Sequence, residues 1–164
     1  MTQYLLGFDI GGTNARCALI QCTDQFKILV SQKHAIRTAQ SPHDLALLIR
    51  HVVTTIGNEA GVTPAQISGI GIAIAGQIDI DEHTIHNAPN LNWHEVDFDA
   101  VLRKEIGDLL PHTRIKISND LNAIAWGEYH FGAGRQLPSM LAVYVGTGIG
   151  AGLIVDRRLM LGAD

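Results

Sequence analysis

The chain carries one pattern twice: an apolar strand, a glycine-rich turn that contains a threonine, and a second apolar strand. The first copy spans residues 4–20 and turns at residues 11–13; the second spans residues 141–155 and turns at residues 146–148. Glycine turns let successive backbone N–H groups point into one concavity, which favours an anion such as phosphate. Two such hairpins far apart in one chain indicate two lobes that grip one nucleotide from opposite sides. For either copy alone, a plain hairpin whose glycines only form the turn is an equal alternative.

An acidic residue, Asp9, stands at the end of the first strand, shortly before the first glycine turn. Its carboxylate would lie beside a phosphate bound at that turn, where it could hold a hydrated Mg²⁺. Residues 146–151 superficially fit a dinucleotide fingerprint, but that motif needs a helix after its glycines and a strand is predicted here. The hairpins therefore favour a magnesium–nucleotide site.

Composition argues against several classes of protein. Of the 164 residues, 46% are hydrophobic and 17% are charged, which predicts a buried core and not a disordered chain. The net charge of −4 argues against a nucleic-acid surface, and no stretch is long enough to span a bilayer or resembles a signal peptide. Cys17 and Cys22 do not form a CxxC motif, so they are expected to be reduced packing residues of a cytoplasmic protein.

The hydrophobic periodicity predicts strands that alternate with helices. Strands are expected at residues 3–9, 14–21, 26–36, 67–75 and 114–118. Helices are expected from residue 42 onward, at residues 98–106 and at residues 121–131. Ser41 and Asp97 suit the N-caps of the first two helices, and the first helix should end at Gly57 or Gly61. Strand 67–75 is apolar on both faces, so we expect it in the centre of a sheet that is covered on both sides.

Four residues with chemical potential fall at the C-terminal ends of predicted strands: Asp9, Gly76, Asn119 and Asp120. Ligands of open α/β sheets bind beyond these ends, so the four are expected at one site. Asp120 is the candidate catalytic base, because phosphoryl transfer to a hydroxyl needs a carboxylate within hydrogen-bond reach of that hydroxyl. The alternative role of Asn119 and Asp120 is to cap the following helix, and both roles can coexist.

The two hairpins together resemble the phosphate-binding hairpins of the sugar kinase, Hsp70 and actin superfamily. The motifs at residues 9–13, 71–79, 89–93, 119–123 and 146–150 occur in the order typical of the ROK family, on its glucokinase-like side. The resemblance implies a ribonuclease H-like (actin-like ATPase) α/β fold, with a mixed sheet flanked by helices. Residues 1–118 would form the N-terminal lobe, and residues 119–164 the beginning of an incomplete second lobe.

Matching the family's motifs residue by residue implies a role for each candidate. The ATP-binding residues would be Asp9, Gly11, Gly12, Thr13, Asn14, Gly146, Thr147 and Gly148. The sugar-binding residues would be Gly76, Gln77, Asn90, Asn119 and Asp120, with Asp120 as catalytic base. Asp9 would hold Mg²⁺ through water.

Three departures from the family pattern affect these roles. Asn14 stands where the family often has Lys, so a charge contact to phosphate is lost or supplied elsewhere. The family often has Pro at the positions of Ala75 and Gln77, so this loop is expected to be less rigid. The loop at residues 89–93 is one residue shorter than usual, which affects the role of Asn90.

Kinases of the ROK family are close to twice as long as this chain. The family's Glu-x-Gly-His motif, its cysteine-rich zinc site and its adenosine-binding segment have no counterpart here. We therefore expect the chain to be an N-terminal portion that is a poor or inactive kinase by itself. A homodimer is an option for the full-length protein, since the family's dimer contacts lie largely in the missing segment.

The function that these motifs favour is ATP-dependent phosphorylation of glucose or a related hexose at its primary hydroxyl. One alternative is a sugar-responsive ROK transcriptional regulator, although the first strand follows Met1 without a preceding helix-turn-helix domain. The other is a non-sugar ATPase of the actin-like superfamily. We expect a hexose as the partner, and neither nucleic acid nor membrane.

A few remaining side chains have two interpretations each. Trp93 either stacks on a sugar face or anchors its loop in the core, and Trp126 is expected in the core. His83 and His86 lie near each other in a predicted surface hairpin, where a solvated turn is favoured over a metal site.

Overall fold

A computed structural model describes residues 2–36, 41–79, 83–146 and 149–161 of the chain. Thr147 and Gly148 of the second glycine turn lie outside these residues. The described elements in chain order are β1 (Gln3–Ile10), β2 (Asn14–Cys22), β3 (Phe26–Ala35), α1 (Pro42–Ala60), β4 (Ile67–Ile74), β5 (Gln77–Ile78), β6 (Thr84–Ala88), β7 (Trp93–Asp97), α2 (Phe98–Ile106), β8 (Arg114–Asn119), α3 (Asp120–Phe131), β9 (Met140–Val145), β10 (Ile149–Val155) and β11 (Arg158–Met160).

The largest sheet has five strands in the order β3-β2-β1-β4-β8. Its first three strands are antiparallel neighbours joined by short turns, whereas β1, β4 and β8 run parallel. Parallel neighbours need long crossover connections, and α1 and α2 lie in those connections. The prediction of a mixed sheet flanked by helices is therefore confirmed.

The core lies between one face of this sheet and the helices α1 and α2. The buried side chains of the sheet alternate along each strand, as a half-covered sheet requires: Leu6, Phe8, Ile10, Ile70, Ile72, Ile74, Ile115 and Ile117. Helix α1 covers them with residues at helical spacing: Leu45, Ile49, Val52, Val53 and Ile56. Each of these side chains contributes roughly 1.5–3 kcal/mol through burial of apolar surface.

The ends of the first two helices follow the local signals of the sequence. The Ser41 hydroxyl accepts the N–H of Asp44, and the Asp44 carboxylate accepts the N–H of Ser41, which forms a capping box. Helix α1 ends at Gly61, whose φ of 68° is left-handed. Gly57 stays inside the helix, where a Cβ would lie 2.5 Å from the Val62 carbonyl oxygen. Asp97 caps α2 by accepting the N–H of Ala100, as predicted.

The expectation that strand 67–75 is covered on both faces is wrong for the described structure. Ile70, Ile72 and Ile74 face the core, but Gly71 on the opposite face is exposed. The run is apolar throughout because isoleucines alternate with small residues, and this period-two pattern belongs to a strand buried on one side. Gly71 and Ala73, two of these small residues, line the bottom of an open groove of about 990 Å³ on the uncovered side of the sheet.

Two smaller sheets complete the described fold. Strands β5, β6 and β7 form an antiparallel sheet behind the end of β4, and Trp93 of this sheet is 3% exposed and packs on Phe98 with ring centroids 5.1 Å apart. Trp93 is therefore an anchor of its loop. Strands β9, β10 and β11 form an antiparallel sheet that packs on α3. In the described residues, no helix combines the length and hydrophobicity needed to cross a membrane.

Trp126 contradicts its sequence prediction, because 40% of it is exposed and not buried in the core. Ala125, its neighbour in α3, is fully buried. Helix α3 therefore turns a face of smaller side chains toward its sheet and leaves Trp126 at the rim of the open groove. Helical spacing alone does not tell which face of an amphipathic helix is covered.

Candidate functional site

The carboxyl ends of β1, β4 and β8 bring the predicted site residues to one edge of the sheet. Ile10 of β1 is the Cα partner of Ile74 in β4, and Ile74 is the partner of Asn119 in β8. The three strands thus end in register, and about 10 Å separates the outer two at the usual spacing of neighbouring strands. The first glycine turn, the Gly76 loop and Asn119-Asp120 consequently follow directly at one edge of the sheet.

The first glycine turn is held by its backbone. The N–H of Gly11 donates to the Asn14 carbonyl at 2.9 Å, and the N–H of Ile36 after β3 donates to the Thr13 carbonyl at 2.8 Å. The Asn14 amide donates to the Thr13 hydroxyl at 3.0 Å. These bonds fix the chain between β1 and β2 while Thr13 itself stays exposed.

Gly11, Gly12 and Gly146 do not use the left-handed backbone that glycine permits. Gly61 is the glycine of the described residues with positive φ. A Cβ at Gly11 would make only an ordinary contact, 3.5 Å from the Asn14 carbonyl oxygen, and a Cβ at Gly146 would meet nothing within 4 Å. The fold therefore does not require glycine at either position. Without a side chain, the backbone at these two positions is open to close approach by another group.

Other glycines of the same motifs are required by packing. A Cβ at Gly150 would collide with the Leu121 side chain, and one at Gly152 would collide with Ala125 and lie 3.0 Å from the Leu121 carbonyl oxygen. These two glycines let β10 lie directly against α3. Gly150 belongs to the second glycine motif of the sequence, but its role in the structure is helix–sheet contact.

Asp9 is the carboxylate nearest to the first turn along β1. Half of its side chain is exposed, at 52%, and its Oδ2 lies 3.3 Å from Nη1 of Arg16 across the β1–β2 pair. Mg²⁺ is commonly held by one or two carboxylates with several waters, so an exposed carboxylate beside an open turn fits a hydrated ion. The described residues contain no group of three or more His, Cys, Asp or Glu side chains suited to a metal.

Asn119 and Gly76 join the second and third strand ends. The Asn119 side-chain oxygen accepts the N–H of Leu121 at 2.9 Å and that of Asn122 at 3.2 Å, so it caps α3. Its side-chain nitrogen donates to the Gly76 carbonyl at 2.9 Å. Gly76 must be glycine, because a Cβ there would lie 2.5 Å from the Asn87 carbonyl oxygen in β6.

Asp120 is the first residue of α3, directly after the cap. Its side chain is partly accessible, and its Oδ1 accepts the N–H of Leu121 at 2.9 Å. The positive end of the helix dipole favours the charged carboxylate at this position. The side chain that caps α3 is therefore Asn119, and Oδ2 of Asp120 forms no hydrogen bond with the described residues.

Gln77 and Asn90 are the remaining predicted sugar-binding residues. Gln77 is exposed and pairs with Asn87 across β5 and β6, and Asn90 is exposed in a short 3₁₀ turn that the buried Leu91 anchors. No hydrogen bond in the described part of the chain joins either side chain to Asn119 or Asp120. His86, from the predicted surface hairpin, lies 3.1 Å from the Glu95 carboxylate, and His83 lies 3.6 Å from that of Asp99.

Sequence reasoning missed two residues of this edge. Arg16 was overlooked because its significance comes from the cross-strand register that brings it to Asp9, seven residues earlier. Asn87 lies in β6 with its side-chain oxygen buried and without a hydrogen-bond partner among the described residues, and no sequence motif indicates this position. The alternation of side chains along β2 indicates Arg16 from the sequence, because Arg16 lies two residues after Asn14 and therefore on the same face of the strand.

Comparisons with known proteins show similar sequences over nearly the whole chain. The model of the ROK family matches residues 5–164. A glucokinase from Streptomyces coelicolor is 30% identical over 157 residues, which are 96% of this chain and 45% of that protein. A xylose repressor from Caldicellulosiruptor bescii is 28% identical over 159 residues, which are 97% of this chain and 38% of that protein.

A solved structure extends the likeness to three dimensions. The crystal structure of a ROK family glucokinase from Streptomyces griseus in complex with glucose and AMPPNP aligns with a TM-score of 0.78 and 29% identity, over 98% of this chain and 47% of that one. The chain spans about half the length of the glucokinases that it matches, and less of the repressor.

Proposed function

The chain belongs to the ROK family, and on that premise we propose that it forms the nucleotide- and sugar-binding part of an ATP-dependent hexose kinase. The observation that carries the proposal is the common edge of β1, β4 and β8, where an open glycine turn, the Gly76 loop and Asp120 follow strands that end in register. A site with these groups can hold a phosphate donor at one end and a hydroxyl acceptor at the other.

The residues divide the work as follows. The turn at residues 11–13 holds the phosphates of ATP, together with Asn14, Gly146, Thr147 and Gly148, and Asp9 holds Mg²⁺ through water. Bound Mg·ATP supplies the transferred phosphoryl group and neutralises its charge. Asp120 accepts the proton of the sugar's primary hydroxyl, and Gly76, Gln77, Asn90 and Asn119 orient the sugar.

Steric and electrostatic features of these residues support the proposed roles. The glycines at 11 and 146 are dispensable for the fold, as expected for positions that a phosphate approaches. Asp120 is held at a helix N-terminus with its carboxylate partly accessible. The glucokinases among the relatives support sugar phosphorylation, and the hexose itself is part of the proposal.

A sugar-responsive regulator is the second candidate, because a xylose repressor matches nearly the whole chain at an identity close to that of the glucokinases. Such a protein would bind a sugar at the same edge and would not need Asp120 as a base. An ATPase that does not use sugar is a third candidate, supported only by the wider superfamily.

One experiment separates the three candidates. ADP formation is measured with the C-terminal continuation of the chain restored, because the chain spans less than half of the matching glucokinase and is expected to be a poor or inactive kinase by itself. The sugars tested are glucose, mannose, fructose, xylose and the N-acetylhexosamines, and sugar binding is measured by calorimetry. We expect hexose-stimulated turnover that falls by about 10²- to 10⁴-fold in Asp120→Asn, which keeps the shape but cannot accept a proton. Sugar binding without turnover in both proteins would favour the regulator, and turnover indifferent to every sugar would favour the ATPase.

A further inference from the structure

The basic residue Arg16 lies close to the first glycine turn. At this turn, proteins of the ROK family often have a lysine that can contact a phosphate, and this chain has Asn14 instead. Asn14, at the lysine position, is short and uncharged, and its amide is bonded to the Thr13 hydroxyl. Arg16 lies two residues further along β2, and Ala15 and Cys17 on either side of it are buried. Strand alternation therefore puts Arg16 on the same face as Asn14.

The register of the sheet places Arg16 between an acid and a second base. Asp9 is its Cα partner in β1, and Lys33 is its Cα partner in β3. All three side chains are exposed. Directly opposed residues of antiparallel strands share a face, and like charges directly opposed are destabilising. This row of the sheet therefore has an excess positive charge in a chain whose net charge is −4.

The Asp9–Arg16 pair is easily opened. Its closest atoms are 3.3 Å apart, and its two side chains are 66% and 52% exposed. Exposed pairs of this kind contribute little to stability, because water screens them. Only the Ile10–Ala15 pair lies between Arg16 and the turn. A guanidinium that leaves Asp9 can therefore reach an anion at the turn and bind it through two parallel hydrogen bonds.

We propose that Arg16 is a phosphate-binding residue of this hairpin, which holds Asp9 when the site is empty and exchanges that carboxylate for phosphate oxygens when magnesium and a polyphosphate bind. The exchange leaves Asp9 free for the ion. This inference rests on the proposed nucleotide site, and it adds the residue that supplies the charge missing at Asn14.

Binding of Mg²⁺ with ATP, and of Mg²⁺ with tripolyphosphate, tests the proposal by calorimetry on the chain and its variants. Tripolyphosphate probes the phosphate contacts without a contribution from adenosine. Arg16→Gln should weaken both affinities on the order of 10- to 100-fold. Arg16→Lys, which keeps the charge but not the paired hydrogen bonds, should fall between Arg16→Gln and the parent chain.

Lys33→Gln is the matched control, because Lys33 lies in the same row but does not contact Asp9. Its affinity should stay within about fivefold of the parent chain. Asp9→Asn should bind tripolyphosphate more tightly than the parent without Mg²⁺, and Asp9→Asn/Arg16→Gln should lose most of that gain. If Arg16 only stabilised the fold, adding Arg16→Gln would not remove the gain in tripolyphosphate affinity that Asp9→Asn produces.

Three other outcomes would contradict either the nucleotide site or the assignment of Arg16. If the parent chain binds neither ligand, the nucleotide site itself fails and the assignment of Arg16 fails with it. If the parent binds and Arg16→Gln binds equally well, only the assignment of Arg16 fails. Equal losses in Arg16→Gln and Lys33→Gln would indicate general attraction to a basic surface, and would also contradict it.

Discussion

At the scale of single residues, the amide of Asn119 links two parts of the site through its two ends. Its oxygen caps α3, and its nitrogen holds the Gly76 carbonyl. The sequence offered capping and ligand binding as roles for the Asn119-Asp120 pair. The structure assigns the cap to Asn119, whereas Asp120 contributes one carboxylate oxygen to the Leu121 N–H and its contact with a ligand remains a proposal.

Two substitutions of Asn119 separate the cap from the contact with Gly76. Asn119→Ala loses both and should lower the free energy of unfolding by about 1–2 kcal/mol. Asn119→Asp keeps an oxygen for the cap but has no donor for Gly76. Hydrogen exchange should therefore show an Asn122 amide that stays protected in Asn119→Asp and exchanges faster in Asn119→Ala, whereas the Leu121 amide keeps the Asp120 carboxylate as acceptor in both. Equal loss of protection in both variants would contradict this division.

Gly76 and Gly71 make a matched pair of glycines in one segment. A Cβ at Gly76 would lie 2.5 Å from the Asn87 carbonyl oxygen, whereas a Cβ at Gly71 would meet nothing within 4 Å. Gly76→Ala should cost about 1–3 kcal/mol, because backbone must move to admit the methyl group. Gly71→Ala should be neutral or stabilising by up to about 1 kcal/mol. Urea unfolding measures both, and a destabilised Gly71→Ala would show that the open groove is covered in solution.

At the scale of elements, a cluster of polar contacts ties α1 to the turn after α2. The Arg50 guanidinium contacts both carboxylate oxygens of Asp108, with Nη2 2.7 Å from Oδ2, and also the Glu105 carbonyl. This contact lowers the pKa of Asp108 to about 2, mainly through the hydrogen bonds from Arg50. The pair lies at the surface, so its contribution is modest and depends on salt.

The lowered pKa predicts a pH dependence of this contact. A carboxylate whose folded pKa is depressed stabilises the fold above its unfolded pKa, which is near 3.9, and loses that contribution as the pH falls toward 2. Asp108→Asn should therefore be less stable than the parent chain above pH 4, and the difference should shrink toward pH 2. Urea unfolding from pH 2 to 7 measures the difference, with Asp24→Asn in an exposed turn as the control. A difference that stays constant with pH would contradict the prediction.

At the scale of the whole molecule, the sheet of β9, β10 and β11 has one uncovered apolar face. Residues of β9 and β10 that alternate with those facing α3 are strongly exposed: Leu141 at 62%, Val143 at 56%, Val145 at 79% and Ile149 at 80%. Contiguous apolar surface of this kind indicates a contact with another polypeptide. The glucokinases that match the chain are about twice its length, so their further residues are one source of such a cover.

The isolated chain should therefore self-associate through this face. We expect a weight-average mass that rises with concentration in sedimentation velocity, and a smaller rise for Val143→Lys, because a charged side chain in an apolar contact is costly. Leu47→Lys is the control, since Leu47 is 43% exposed on α1, away from the face. Identical association of both variants would place the contact elsewhere on the molecule.

The sequence by itself determined the local elements. The caps at Ser41 and Asp97 and the three strands at the N-terminus depend on hydrogen bonds and periodicities within a few residues, which a sequence displays directly. For the end of α1 the sequence left Gly57 and Gly61 open, and the structure places it at Gly61. It also identified the ROK family, because that resemblance depends on short motifs in a fixed order.

Only the tertiary structure decided how residues far apart in the chain meet. It showed that Ile10, Ile74 and Asn119 share a register, that Asp9 faces Arg16, that Gly76, Gly150 and Gly152 are contact glycines, and that Trp126 is exposed. Each of these depends on which face of an element is covered and on which strands are neighbours. A periodic pattern defines two faces and not their surroundings, so this information arises only when the elements pack.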